Sequence, residues 1–368
     1  MRVFYWFAAI TLLVAASSVA LSANAQEVTP TVEATTEPIA NIVPYTSPEA
    51  LPDAVRLEGL RPVYQQFNRC SAAALTIQLS YFGWQGTYDD TIRALNPDAE
   101  DVAVRLDEMA AFAAAQGLKA VYRIGGTLDL LKALVAGGFP VLVENVYYDG
   151  PNAFQDWMAH NRVVMGYDDA RGEIYTFDSL LGNGENNTGR PIPYADVDER
   201  WRPFNRDFLV LYRPDEEAAV QTIMADYWDE HYAAEVALQL SQAELDGGAS
   251  DSFTLFNMGS SLVELGRYSE AADAFDRARQ IGLPWRMMWY QYGPFDAYYE
   301  MGRYDDMLAL AREVIADTPG VEESYYYAGL AYQAQGDVER AKSNYQVALI
   351  RNQSFALAQT ALASVSGS

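Results

Sequence analysis

Three segments near the C-terminal end of the chain repeat in phase: Glu264-Leu-Gly266-Arg-Tyr268-Ser-Glu-Ala271, Glu300-Met-Gly302-Arg-Tyr304-Asp-Asp-Met307 and Ala334-Gln-Gly336-Asp-Val-Glu-Arg-Ala341. Their glycines lie 36 and 34 residues apart. A unit of that length holds one pair of helices and cannot bury its apolar face alone, so each pair must stack on the next. Gly259 and Gly329, Tyr298 and Tyr332, and Ala278 and Ala348 fall at matching places, and Pro319 sits where a unit should close. An all-helical stack is therefore expected over 214–368, with repeats at about 252–287, 288–321 and 322–355. A helix from Glu217 to Leu245 leads into it. Tyr298-Tyr299 and Tyr325-Tyr326-Tyr327 read as core at helical spacing.

Residues 58–213 carry a different pattern. Helices are expected over Cys70–Phe82, about Asp101–Gln116 and about Leu128–Ala136, each followed by a glycine of the kind that ends helices. Thr127 is placed to cap the third. Runs rich in β-branched and aromatic residues come next: Pro140–Tyr147, Arg162–Tyr167, Glu173–Phe177 and Asp207–Tyr212. Helices followed by strands predict an α+β domain with an antiparallel sheet.

Ahead of it, Arg2 precedes an apolar run from Val3 to Leu21 and the small-residue site Ala23-Asn24-Ala25, so 1–25 reads as an export signal. The run is also long enough to span a membrane if it stays uncleaved. Residues 26–57, rich in Thr, Pro, Glu and Ala, read as a disordered spacer. The formal charge of −25 argues against nucleic acid, whose phosphates need clustered Lys and Arg. One cysteine and two histidines argue against a structural zinc site, and no cofactor is implied. His231 reads as a surface or packing residue.

The single cysteine, Cys70, opens the first expected helix. Free N–H groups and the dipole at a helix N-terminus favour thiolate, the reactive form. A thiol nucleophile needs a base and a group that orients the base. His160 is the only histidine in the mixed domain and begins His160-Asn-Arg-Val-Val-Met-Gly-Tyr-Asp-Asp169. Asp168-Asp169-Ala170-Arg171-Gly172 reads as a hairpin turn. A fold about residue 169 sets His160 opposite Asp178, so the imidazole and a carboxylate reach the same end of neighbouring strands. Gln65 and Gln66, just upstream of Cys70, offer an amide for an oxyanion.

With these residues on the page, two resemblances can be stated. Gln65-x-Phe67-Asn68-x-Cys70, the helix ending Leu79-x-Tyr81-Phe82-Gly83-Trp84, Gly138-Phe-Pro140-Val-Leu-Val143, His160-x-x-Val-Val-x-Gly-Tyr-Asp168 and Trp201-x-x-x-Asn205-Arg206-x-Phe208 resemble the C39-like cysteine peptidases, papain-like relatives of bacteriocin-processing enzymes. The resemblance implies Cys70 as nucleophile, His160 as base, Asp178 as orienting acid and Gln65 as oxyanion donor. The family usually has Gly-Pro after the cysteine, where this chain has Ser71-Ala72, and Gly-His-Tyr, where it has Ala159-His160-Asn161. The C-terminal units resemble tetratricopeptide repeats, which implies a surface for a peptide or protein partner.

These readings converge on an exported thiol hydrolase that cuts peptide bonds through Cys70, His160 and Asp178, with helical repeats for substrate or partner. Rival readings are an inactive binding module at the cell surface, and acyl transfer or deamidation by the same residues.

Overall fold

The computed structural model describes residues 45–148 and 157–367. The export signal and most of the spacer lie outside the described residues. The described residues cluster as one compact unit.

The sheet domain opens with β1 (Ala54–Arg56), α1 (Cys70–Tyr81), α2 (Tyr88–Leu95), α3 (Leu106–Ala115), β2 (Lys119–Arg123) and α4 (Leu128–Ala136). It continues with β3 (Val141–Tyr148), β4 (Trp157–Asp168), β5 (Glu173–Asp178), β6 (Arg190–Pro193), α5 (Tyr194–Trp201) and β7 (Phe208–Tyr212). The expected α+β class with an antiparallel sheet is what forms. The strands order as β2-β7-β3-β4-β5-β6, and β1 pairs with β4. Every pairing is antiparallel.

Side chains alternate across this sheet and divide its core in two. Leu142, Val163, Phe177 and Leu209 pack with Leu75, Ile77 and Leu79 of α1 on one face. Val141, Val143, Val164 and Val210 pack with Leu130, Leu131 and Leu134 of α4 on the other. Helix α1 is buried all round from Ser71 to Ser80, as a helix rich in Ala with no charge allows. Buried Gln78 ties it to the sheet, donating from Nε2 to the Pro140 and Leu209 carbonyls at 3.0 Å each.

Three expectations need correction. The spacer reading fails for its last part, because Ala54–Arg56 pairs with Gly166–Asp168 and Tyr45 is buried against the α4 face. Its apolar residues are too few to show a period, yet they fill the strip of β4 left open past the end of β3. The helix expected from Asp101 begins only at Leu106. The Asp101 carboxylate instead accepts the Ala103 N–H at 2.9 Å in a local turn that competes with helix. Arg162, not His160, stands opposite Asp178, because the hairpin closes at the Asp168–Glu173 pair, later than a fold about residue 169 requires, and a bulge between Val164 and Gly166 restores only one position of the register.

Beyond β7 all regular structure is helical. After α6 (Glu217–Met224) and α7 (Glu230–Asp246) come α8 (Ser252–Glu264) with α9 (Tyr268–Ile281), then α10 (Met287–Tyr290) and α11 (Gly293–Glu300) with α12 (Tyr304–Asp317). The series ends with α13 (Glu322–Ala334), α14 (Val338–Arg351) and α15 (Ala356–Ser366). The in-phase glycines 266, 302 and 336 take φ of +69°, +68° and +82°, the left-handed conformation that reverses the chain after a helix. Gly259 and Gly329 play a second repeated part: a Cβ there would lie 2.6 Å from Phe275 and 2.4 Å from Tyr345, so each glycine seats an aromatic ring of the partner helix. The middle repeat differs. Its first helix is split, because Pro294 cannot continue the α10 hydrogen bonding and Gln291 is extended.

The stack packs on the sheet domain at both of its ends. At the near end Trp157 stacks on Phe204 (5.3 Å) and Phe253 (6.3 Å), Asn205 donates to Ser261 Oγ at 2.9 Å, and Arg206 bridges Asp198 and Glu244. At the far end Arg351 pairs with Asp98 at 2.9 Å. There Asp101, Glu322 and Glu323 are buried together, facing Glu108, Arg105, Asn96, Asn352 and Tyr292. Arg105 is shared with Asp107.

Candidate active site

Cys70 is the first residue of α1. Asn68, at φ +54°, makes the sharp entry turn, a conformation that Asn tolerates better than most residues. Arg69 is buried and holds the neighbouring loop, donating from Nη1 to the Asp101 carbonyl at 2.8 Å and from Nη2 to that of Asp98 at 3.0 Å. Cys70 as a residue is half-buried.

β4 carries the next two groups. Its pairing with β5 ends at Arg162–Asp178, so the edge from Trp157 to Asn161 is open on that side among the described residues. Cys70 sits at this edge. His160 is buried and its Nε2 lies 2.9 Å from Asp178 Oδ1. The expected approach of histidine and aspartate is thus realised, but diagonally, two residues from direct opposition. Arg162, on the same face of β4 as His160, donates from Nε to Asp178 Oδ2 at 2.7 Å. Backbone N–H groups of Leu180 and Leu181 reach Oδ1 at 2.9 and 2.8 Å. Burial alone would raise the Asp178 carboxyl; the hydrogen bond and charge of His160, then Arg162, hold it well below the usual range instead.

The thiol responds in the same way. Burial pushes Cys70 up, but the hydrogen bond and charge of His160, with the backbone and side chain of Asn161, bring it down to about 7. Burial likewise pushes His160 down, while Asp178 and Cys70 raise it on balance. The three groups therefore support a thiolate beside an imidazolium held by a carboxylate.

Gln65 lies on the other flank. Its backbone N–H donates to the Ser179 carbonyl at 3.0 Å and its Oε1 accepts from Ser179 Oγ at 2.8 Å. With Oε1 engaged, the Gln65 Nε2 hydrogens are left as donors. Gln66 is exposed, with its N–H on Tyr88. His231 is exposed on α7, 3.4 Å from Glu235, and has no part here.

The two sequence departures meet. Asn161 Nδ2 donates to Ser71 Oγ at 3.1 Å and lies 3.8 Å from Cys70 Sγ. One side chain that replaces the usual pattern thus supports the other. Sequence reasoning missed Arg162, whose signal is its two-residue spacing from His160 on one strand. It also missed the partnership of Asn161 with Ser71, which no local pattern reveals across a separation of 90 residues.

Residues 60–207 match the family model described as Peptidase_C39 like family, and residues 253–281 and 323–352 match the tetratricopeptide repeat. The chain carries a C39-like peptidase domain followed by tetratricopeptide repeats. The middle repeat, with its split helix, falls between the two matched stretches. No curated protein matches the chain. Among solved structures, MamA 41-end from Desulfovibrio magneticus RS-1 is 22% identical, covering 37% of this chain and 75% of that one, at a TM-score of 0.33. A double glycine motif protease from an AMS/PCAT transporter, in complex with its leader peptide, is 18% identical, covering 43% and 93%, at a TM-score of 0.31. Among the described residues no helix is long and apolar enough to cross a membrane.

Proposed function

We propose that the C39-like domain is a working cysteine peptidase. The observation that carries this reading is the Cys70 thiol, brought down to about 7 beside a buried His160–Asp178 pair. The Cys70 thiolate attacks a peptide carbonyl, forming the C–S bond and an oxyanion. The oxyanion is received by the Cys70 N–H, an orphan donor of the first helical turn, and by Gln65 Nε2. His160 gives its proton to the leaving amine as the C–N bond breaks. It then takes a proton from the water that hydrolyses the thioester, oriented throughout by Asp178 and, through it, Arg162.

The repeats serve a protein or peptide partner, and the chain is exported, with Gln26 expected at the mature N-terminus. Digestion of a proteome-derived peptide library tests the reading: cleavage lost in Cys70→Ala, with the circular dichroism spectrum retained, is expected. Equal cleavage by that variant overturns it. An inactive binding module predicts no cleavage by either protein and an ordinary, slowly alkylated thiol.

A further inference from the structure

On the face of the sheet that carries Asn161, two carboxyls stand beside the thiol without a cation. Glu144 is directly opposite Asn161 in the β3–β4 register, close enough to feel the charge of Cys70. The Glu144 N–H donates to Asp207 Oδ1 at 3.2 Å, which sets the two carboxyls side by side. Neither forms an ion pair with a described Lys or Arg. Burial, then mutual repulsion with its neighbour, pushes Glu144 well above the usual carboxylate range, and burial pushes Asp207 up as well. Asn161 adds a third acceptor: it is 1% exposed, its Nδ2 is turned to Ser71 and the thiol, and its Oδ1 has no donor. Asp207 also borders a cavity of about 310 Å³ lined by Asp107, Glu230 and Glu264, with Arg105 and Arg123. Those two arginines are engaged with Asp107 and with the Tyr122 and Trp228 carbonyls.

The repeats complete this corner. The split helix of the middle repeat brings Tyr290 to β4, where its hydroxyl takes the Ala159 N–H, close enough to feel the charges of Cys70 and Glu144. Arg286, one turn earlier, donates to the Trp157 carbonyl at 3.2 Å and lies over Trp285.

We propose that Glu144 and Asp207, with Asn161 Oδ1 and the wall made by Tyr290, form a substrate subsite for a cationic nitrogen next to the scissile bond. A cluster of carboxyl and amide oxygens without a cation is stabilised by an ammonium or guanidinium group placed among them. The cation comes from a Lys or Arg side chain or from a free α-amino group. This inference rests on the peptidase reading above.

The test compares matched peptides with lysine, norleucine or Nε-acetyllysine within two positions of the cut, each with a free or acetylated N-terminus. Cleavage by the full chain is read as kcat/KM, and binding to Cys70→Ala by calorimetry. Lysine acetylation is expected to lower kcat/KM about 10-fold or more, with Glu144→Gln removing most of that difference. The same loss on N-terminal acetylation assigns the α-amino group instead. Cleavage that ignores both modifications overturns the subsite and leaves the peptidase reading standing. If nothing is cut, charge-dependent binding to Cys70→Ala supports the subsite while the peptidase reading falls; charge-independent binding, or none, overturns the subsite.

Discussion

Asp178 and Glu323 are both buried carboxyl groups, yet the molecule treats them in opposite ways. Asp178 accepts from His160, Arg162 and two backbone N–H groups, and stays ionised. Glu323, at the far junction of sheet domain and repeats, has no donor on either oxygen and lies among Asp101, Glu108 and Glu322 with Arg105 as the cation in reach. Burial and these neighbours push it well above the carboxylate range, and push Glu322 to about 9. Burial is common to both places, so the count of donors decides which acid holds its charge. The first place holds a buried charge and the second makes a junction sensitive to protons.

The largest effect should follow from spoiling the first place. Asp178→Asn keeps the shape but removes the charge that holds the imidazolium, and is expected to lower kcat about 100-fold or more in peptide hydrolysis. Next, His160→Ala removes the largest of the groups that offset burial at Cys70 and leaves Asn161. The pH profile of thiol alkylation, expected near 7 in the native protein, should move upward towards the ordinary thiol range. An unmoved profile breaks the link between thiol and imidazole.

The second place should show itself in stability. Carboxyls raised in the folded state bind protons more tightly there than when unfolded, so their stabilisation is full in acid. It is lost as pH rises from the usual carboxylate range towards about 9, the value for Glu322. Asp178 works the other way: its contribution is present above the usual range and lost only in strong acid. Melting temperature should therefore fall between pH 6 and pH 9, and Glu323→Gln should recover a few degrees at pH 9 and little at pH 5. A melting temperature flat across that range sinks this account. The smallest effect belongs to Ser71→Ala, which takes away the acceptor of Asn161 Nδ2. A loss of about 1 kcal/mol and a change of a few-fold in alkylation rate are expected.

What the sequence disclosed follows from how local each signal is. Helix α4 runs over the expected residues, and Thr127 caps it by accepting from the Leu130 N–H at 3.2 Å, because period, cap and terminal glycine all lie within a dozen positions. The repeat glycines were legible for the same reason. Helix α2 was missed although its signals are local: Thr87 and Asp90 form a capping box and Tyr88, Ile92 and Leu95 fall at helical spacing, but over only eight residues. Strand β2 is five residues long with Lys119 and Tyr122 exposed, and acquires its meaning from β7. The five-residue stretch Asp168–Gly172 offers several places for the chain to reverse, so the histidine–aspartate contact was foreseeable and its register was not. The Glu144–Asp207 pair joins positions 63 apart through a strand neighbour that only the folded sheet defines.

The arrangement of the repeats bears on when the protein becomes competent. Cys70, His160 and Asp178 leave the ribosome well before Tyr290, and the contact of Arg351 with Asp98 joins residues 253 positions apart. Contacts of such span close late. A nascent chain therefore holds its thiol, base and acid for some time without the corner that Tyr290 completes. The finished corner waits until the middle repeat has left the ribosome and docked on β4.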